Sequence, residues 1–192
     1  MHYLIYHLPT ASTELLPPET LDPAERATYA RQGERYLLIR SLLKRELARH
    51  SGEAAESIRF CYGEHGKPLY APQPFNMSHS GELLCLALHH SAVGVDIERV
   101  RPRKNLAATA ERIMCPQQLA AWQQRACPAE EFFDCWCAAE ALTKYSGCAI
   151  WSALQRPFLW RPGGITPLYE GAPCVELFEP APGYSGAVAY AE

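Results

Sequence analysis

Two short stretches carry side chains of the kind that handle phosphates and hard cations. In Gly94-Val95-Asp96-Ile97-Glu98, a strand would turn Val95 and Ile97 to one face and Asp96 and Glu98 together to the other. Two carboxylates side by side repel each other unless a positive charge sits between them. Hard oxygen donors of this type suit Mg²⁺, which takes one or two carboxylates plus waters and substrate phosphates. The same alternation also describes a solvated strand face with two acids. The second stretch is Trp136-Cys137-Ala138-Ala139-Glu140-Ala141-Leu142-Thr143-Lys144. Here Glu140 and Lys144 lie one helical turn apart, with Trp136 one turn earlier on the same side. On a solvated helix such a pair only adds modestly to helix stability. On a largely apolar helix, the glutamate could complete a metal site and the lysine could reach a phosphate.

A third group is Gly66-Lys67-Pro68, followed by Phe75-Asn76-Met77-Ser78-His79-Ser80. Glycine lets a backbone approach a ligand, and Lys67 places a charge beside it. Ser78 and His79 offer a hydroxyl and an imidazole at a strand end. The alternative reading is a turn lysine and a structural histidine. No Gly-x-Ser-x-Gly elbow accompanies them, so a serine nucleophile with a histidine base is not expected.

The elements that must position these groups follow from pattern. Residues 2–8 read as a first strand. Asp22-Pro23-Ala24-Glu25 reads as a capped helix start, and a second helix runs from Glu34 to about Arg49 until Ser51-Gly52 stops it. Ile58–Tyr62 reads as a strand, then Gly63–Pro68 as a turn. Leu83–Leu88 and Val93–Glu98 read as strands of one hairpin joined by His89-His90-Ser91-Ala92. Helices are expected near 106–114 and 116–125, and a firmer one from Pro128 to Ser146 with Gly147 as its stop. Strands are expected at Pro157–Trp160, Cys174–Phe178 and Gly186–Tyr190.

The formal net charge of −3, from 18 basic and 21 acidic residues, argues against a protein that grips nucleic acid through bulk charge. No stretch is apolar enough for a membrane span, and the N-terminus lacks the pattern of a signal peptide, so no membrane partner and a cytoplasmic location are expected. The 8 cysteines show no Cys-x-x-Cys spacing and read as reduced, small apolar residues rather than zinc ligands.

In order and together, Gly66-Lys67-Pro68, Phe75-Asn76-x-Ser78-His79-Ser80, Gly94-Val95-Asp96-Ile97-Glu98, and Trp136 with Glu140 and Lys144 resemble the motifs of a known family. It is that of the 4'-phosphopantetheinyl transferases of the surfactin-synthetase-activating type. Arg40, in Leu37-Leu38-Ile39-Arg40-Ser41, resembles the arginine of that family's early helix. Gly183-Tyr184-x-x-Ala187-Val188-Ala189 resembles its final strand. The resemblance runs from about Arg35 to Tyr190, and the short chain resembles the compact branch that acts on acyl carrier proteins.

The resemblance implies an α/β (α+β) fold, a pseudodimer of two similar halves, each a small antiparallel sheet with a long helix. The halves would be residues 1–99 and 100–192, with the active site in the cleft between them. It implies Mg²⁺-dependent transfer of phosphopantetheine from coenzyme A to a carrier-protein serine, releasing adenosine 3',5'-bisphosphate, as in holo-acyl-carrier-protein synthases. By the same resemblance Asp96, Glu98 and Glu140 are metal ligands and Lys144 binds the pyrophosphate, with Glu140, Lys144 and Asp96 as the catalytic set. Arg40, Lys67, Ser78, His79 and Lys144 become coenzyme A contacts. An acidic carrier protein would dock on Arg99, Arg101, Arg103 and Lys104, and the chain would act as a monomer.

Two departures stand out. Ala139 occupies the place of the family's usual lysine before the glutamate, and the stretch Ile113-Met114-Cys115-Pro116-Gln117-Gln118 lacks the family's carboxylate after the central strand. A Mg²⁺-dependent nuclease or phosphodiesterase, or a binding paralogue with reduced turnover, therefore stay open at this point.

Overall fold

The computed structural model describes residues 2–11, 14–64, 66–102, 104–148, 157–161 and 164–191. The fold is mixed α/β with small antiparallel sheets. The first strand, β1 (His2–His7), is followed by helices α1 (Pro23–Gln32) and α2 (Glu34–Ser51). The expected capping box forms at α1. The Asp22 carboxylate accepts from the Glu25 N–H at 2.8 Å, and the Glu25 carboxylate accepts from the Asp22 N–H at 3.1 Å. Helix α2 ends at Gly52, in the left-handed conformation that a side chain would disfavour.

A short hairpin, β2 (Cys61–Tyr62) and β3 (Pro68–Leu69), leads to β4 (Phe75–Ser80), β5 (Leu83–Leu88) and β6 (Val93–Arg99). Three helices follow: α3 (Leu106–Ile113), α4 (Pro116–Gln124) and α5 (Ala129–Ser146). Strands β7 (Phe158–Arg161), β8 (Gly164–Pro167), β9 (Cys174–Phe178) and β10 (Tyr184–Tyr190) close the chain.

Two three-stranded sheets dominate, in the orders β1-β5-β4 and β6-β10-β9. Strand β5 explains its own sequence, a continuous Leu-Leu-Cys-Leu-Ala-Leu run. Leu84, Leu86 and Leu88 pack beneath α2 with Leu43 and Leu47. Leu83, Cys85 and Ala87 pack on the other side against Val93, Val95 and Ile97 of β6. A strand buried on both faces needs no polar alternation. The two sheets thus share an apolar seam. The C-terminal core gathers Phe132, Phe133 and Leu142 of α5 with Trp122, Phe158 and Ala187.

Several expectations are corrected. Leu83–Leu88 and Val93–Glu98 do not form a hairpin. β5 already has β1 and β4 on its two edges, so no edge remains for β6, which pairs with β10 instead. Strand β6 thus joins the sheet of the later strands β9 and β10. The true hairpin joins β4 and β5 through Gly81, at φ 55°. Only Cys61–Tyr62 of the expected 58–62 strand pairs, because Ile58 and Phe60 are drawn into the core beside α2. Pro68–Leu69, expected as turn, forms its partner strand, and Gly164–Pro167 adds a strand that was not expected. All 8 cysteines are free, but only Cys85, Cys135 and Cys137 are buried, while Cys61 and Cys127 are exposed.

One close contact joins β6 to α5. A Cβ at Gly94 would lie 2.0 Å from the Ala141 carbonyl oxygen and 2.3 Å from the Tyr145 nitrogen. Strand β6 rests on the backbone of α5, and small residues on the helix, Cys137, Ala138 and Ala141, fit the same contact. Because the opposing atoms are backbone, they cannot swing aside. Gly94→Ala is expected to destabilise the protein by about 3 kcal/mol or more, as overpacking without a relief route does. Chemical denaturation compared with the wild type checks this, and a change under about 0.5 kcal/mol would contradict it.

Candidate active site

Val95 and Ile97, at 0% and 1% exposure, face the seam, so the alternate residues Gly94, Asp96 and Glu98 face α5. Helix α5 presents Trp136, Glu140 and Lys144 on successive turns. These side chains meet those of β4. A cavity of about 310 Å³ is lined by Met77, Ser78, His79, Asp96, Glu98, Trp136, Glu140 and Lys144.

Asp96 is the hub. Its Oδ1 accepts from Lys144 Nζ at 2.7 Å and from Ser78 Oγ at 2.7 Å. Lys144 Nζ also donates to the Val95 carbonyl at 3.0 Å. Asp96 Oδ2 is buried and has no hydrogen-bond partner. An ionised oxygen left so is costly unless a cation or donor completes it. Glu98, half-buried, accepts from Ser80 Oγ at 2.7 Å.

The acids affect each other. Burial pushes the Glu140 carboxyl above its ordinary pKa. Asp96 and Glu98 push it further, and Lys144 opposes them. Among the described residues no three acidic, histidine or cysteine side chains converge as a ready-made metal cluster. Like charges with only Lys144 between them have no reason to draw together. The donor set nonetheless fits a hard divalent cation: it is all carboxylate oxygen, and Asp96 Oδ2 is unpartnered.

The other expected residues lie around this cavity to different degrees. His79 lines it, and its ring is exposed. Partial desolvation and the charges of Arg35 and Lys144 hold its pKa below the usual imidazole value. Lys67 does not line it. Its Nζ donates to the Val93 carbonyl at 3.0 Å and to the Lys144 carbonyl at 2.5 Å, tying the start of β6 to the last turn of α5. Burial and the Lys144 charge push its pKa down to about 8. It also borders a separate, mostly apolar cavity of about 490 Å³.

Arg40 does not line the carboxylate cavity either. It is buried on α2, donates to Tyr36 OH at 2.9 Å, and pairs with Glu25 at 3.4 Å beside the fully buried Lys44. Its Nη1 is buried without a hydrogen-bond partner. Arg99, Arg101 and Lys104 are exposed, whereas Arg103 lies outside the described residues.

Sequence reasoning missed Asn76, Ser80 and Gly94 as site-building residues. The signal was present in the period-two spacing of Asn76, Ser78 and Ser80, all on one side of β4. The two departures become clear in place. Ala139 is fully buried in the C-terminal core and does not border the cavity. Buried Gln118 donates to Glu131 at 2.6 Å and accepts from the Trp160 N–H at 2.9 Å, so the amide does structural work that a second carboxylate could not do.

Residues 92–184 match the model of the 4'-phosphopantetheinyl transferase superfamily. The chain is 34% identical over 156 residues to the 4'-phosphopantetheinyl transferase AcpT of Escherichia coli strain K12, covering 76% of this chain and 73% of that protein. The chain belongs to the 4'-phosphopantetheinyl transferase superfamily. It is also similar to the transferase HetI of a Nostoc species, 29% identical over 146 residues, covering 70% of this chain and 61% of that protein. With Sfp of Bacillus subtilis it shares 31% identity over 90 residues, covering 45% of this chain and 40% of that protein. The superfamily's reaction, transfer of a phosphopantetheine group with coenzyme A and a carrier protein as partners, is therefore this transferase's reaction class. No helix among the described residues is long and apolar enough to cross a membrane.

The raised Glu140 pKa has a sign that can be tested on stability. In the folded chain the carboxyl keeps its proton to higher pH than in the unfolded chain. Its contribution is intact below the unfolded value, about 4.3, and is lost as pH rises through the folded one. Glu140→Gln removes that loss, so its Tm at pH 7 should exceed that of the wild type in divalent-free buffer. The gain should vanish in acid below the ordinary glutamate range. Thermal melts across pH check this, and a lower Tm for the variant at pH 7 would contradict it.

Proposed function

We propose that the transferase moves 4'-phosphopantetheine from coenzyme A to a serine of an apo acyl carrier protein, with Mg²⁺, and releases adenosine 3',5'-bisphosphate. The observation that carries this reading is the cavity where Asp96, Glu98, Glu140 and Lys144 meet, with Asp96 Oδ2 buried and unpartnered. On this reading the active site lies where residues 1–99 meet residues 100–192, and one chain suffices as a monomer, acting in the cytoplasm.

Asp96, Glu98 and Glu140 would hold the cation. Bound there, Mg²⁺ supplies positive charge to the pyrophosphate oxygens. Phosphoryl transfer of this kind asks the protein mainly to position groups and neutralise charge. Lys144 Nζ directs two of its protons to Val95 and Asp96, which leaves a third for a phosphate oxygen. Glu140, directly or through a water held at the cation site, is the candidate base for the proton of the attacking serine. Ser78 and His79 border the same cavity and contact coenzyme A phosphates. His79 stays neutral near pH 7, able to donate one N–H. Arg40, with its free Nη1, and Lys67, with a third proton, extend the phosphate contacts beyond the cavity. Ala139, buried in the core, supplies no cation there, so a reduced-turnover binding module remains the alternative.

Mass spectrometry of an apo acyl carrier protein incubated with the transferase, coenzyme A and Mg²⁺ tests the reaction. A gain of one phosphopantetheine mass is expected. Asp96→Ala and Lys144→Ala should each slow it on the order of 10²-fold or more. Coenzyme A bound with no transfer would favour a binding module, and DNA cleavage lost in Asp96→Ala would favour a nuclease.

The exposed run Arg99, Arg101 and Lys104, with Arg103 in the same segment, is the proposed dock for an acidic carrier. Arg101→Glu with Lys104→Glu should slow carrier modification several-fold at low salt and leave coenzyme A affinity unchanged. Equal losses in both would count against docking there.

A further inference from the structure

Strands β4 and β6 are edge strands of separate sheets and share no backbone ladder. Side chains at every second residue of β4 join them instead. Asn76 Oδ1 accepts from the Val95 N–H at 2.8 Å. Ser78 Oγ donates to Asp96 Oδ1 at 2.7 Å. Ser80 Oγ donates to Glu98 Oε2 at 2.7 Å and accepts from the Arg99 N–H at 3.0 Å. The spacing follows from the strand period, which turns residues 76, 78 and 80 to one side.

The direction of the last bond is fixed by chemistry. A serine hydroxyl has one proton, and a backbone N–H can only donate. With the Arg99 N–H occupying a lone pair of Ser80, the hydroxyl proton goes to Glu98. The hydroxyl is thus itself polarised and oriented by the backbone of the strand that carries the acid. Glu98 stands next to the exposed Arg99, near the open end of β6, where a glutamate otherwise samples several rotamers. Ser80 commits Oε2 and leaves Oε1. Ser78 and Lys144 do the same at Asp96, committing Oδ1 and leaving Oδ2.

We propose that Ser80 is a positioning residue for the transfer reaction. With Ser78 it ties back one oxygen of each β6 carboxylate and so presents the other to a divalent cation. Asn76 sets the register of the two strands by anchoring the Val95 N–H. This rests on the assignment of Asp96 and Glu98 as cation ligands made above. Partners that orient ligating carboxylates typically change metal affinity when removed, even though they never touch the metal.

Mn²⁺ binding in the presence of coenzyme A, read by the electron paramagnetic resonance of the free ion, tests the two claims separately. Ser80→Ala should weaken Mn²⁺ binding about ten-fold, the lower end of what such partners contribute. Ser80→Thr, which keeps the hydroxyl, should bind as the wild type does. Ser80→Ala added to Glu98→Ala should cost nothing further, because the serine acts through the glutamate. Asp96→Ala losing affinity while Ser80→Ala keeps it would overturn the role of Ser80 and leave the ligand assignment standing. Independent losses in the double variant, or a folded Ser80→Thr that binds weakly, would also overturn it. Unchanged binding in Asp96→Ala, or no Mn²⁺ binding by the wild type, would overturn the ligand assignment and this inference with it.

Discussion

Strand β6 lies so near helix α5 that the backbone of one touches the backbone of the other at Gly94, where a methyl group would fall 2.0 Å from the Ala141 carbonyl oxygen. That approach sets the depth of everything downstream on the strand. Two residues along, Asp96 arrives within 2.7 Å of Lys144 Nζ, and two residues further Glu98 borders the same cavity. A larger side chain at 94 would lift the strand from the helix and separate the acids from the lysine. Lys67 reinforces the contact from outside by bonding to one carbonyl of each element. The last carbonyls of a helix lack partners within it, so a lysine there both satisfies them and sits at the negative end of the dipole.

The second constraint is the seam between the sheets. On its apolar side β5 and β6 exclude water with Cys85, Ala87, Val95 and Ile97. On its polar side, β4 and β6 are joined by Asn76, Ser78 and Ser80 rather than by a ladder. A backbone ladder would have satisfied both strands and drawn them into one sheet. Side-chain bonds satisfy the same groups while leaving a cavity between the strands. The polar cluster is costly in a partly buried place because three carboxylates share it with one close cation, Lys144. Burial first, and then the neighbouring Asp96 and Glu98, raise the Glu140 pKa, and Asp96 Oδ2 is left buried without a partner. A site for a polyanion handled with a divalent cation is expected to look this way before its ligands arrive.

Away from the cavity, buried charge is handled by pairing. Glu25 caps α1 and also takes Lys44 at 2.9 Å, with both side chains at 0% exposure. Glu131 is held by Arg125 and Gln118. Glu131 is met on both oxygens, whereas Glu25 Oε1, like Asp96 Oδ2, is buried without a hydrogen bond and has only the Arg40 guanidinium at 3.4 Å. What sets Asp96 apart is its place on a cavity that it shares with Glu98 and Glu140.

Much of the local structure was legible in the chain. Asp22 with Glu25 announced the start of α1, Gly52 and Gly147 the ends of α2 and α5, and the Asp-x-Glu alternation the face on which Asp96 and Glu98 lie. Caps, stops and strand faces depend on residues within a few positions of each other, so the sequence alone determines them. The order of motifs likewise pointed to the superfamily. The sequence could not show that β6 leaves β5 for β10, that Gly94 is pressed against α5, or that Ser80 holds Glu98. It also could not show that Ala139 is core and Lys67 a clamp. Each of these depends on which strand edges are already taken and on contacts between residues far apart in the chain. Only the assembled fold fixes such contacts, because the energy that selects them comes from packing across the seam rather than from neighbours in sequence.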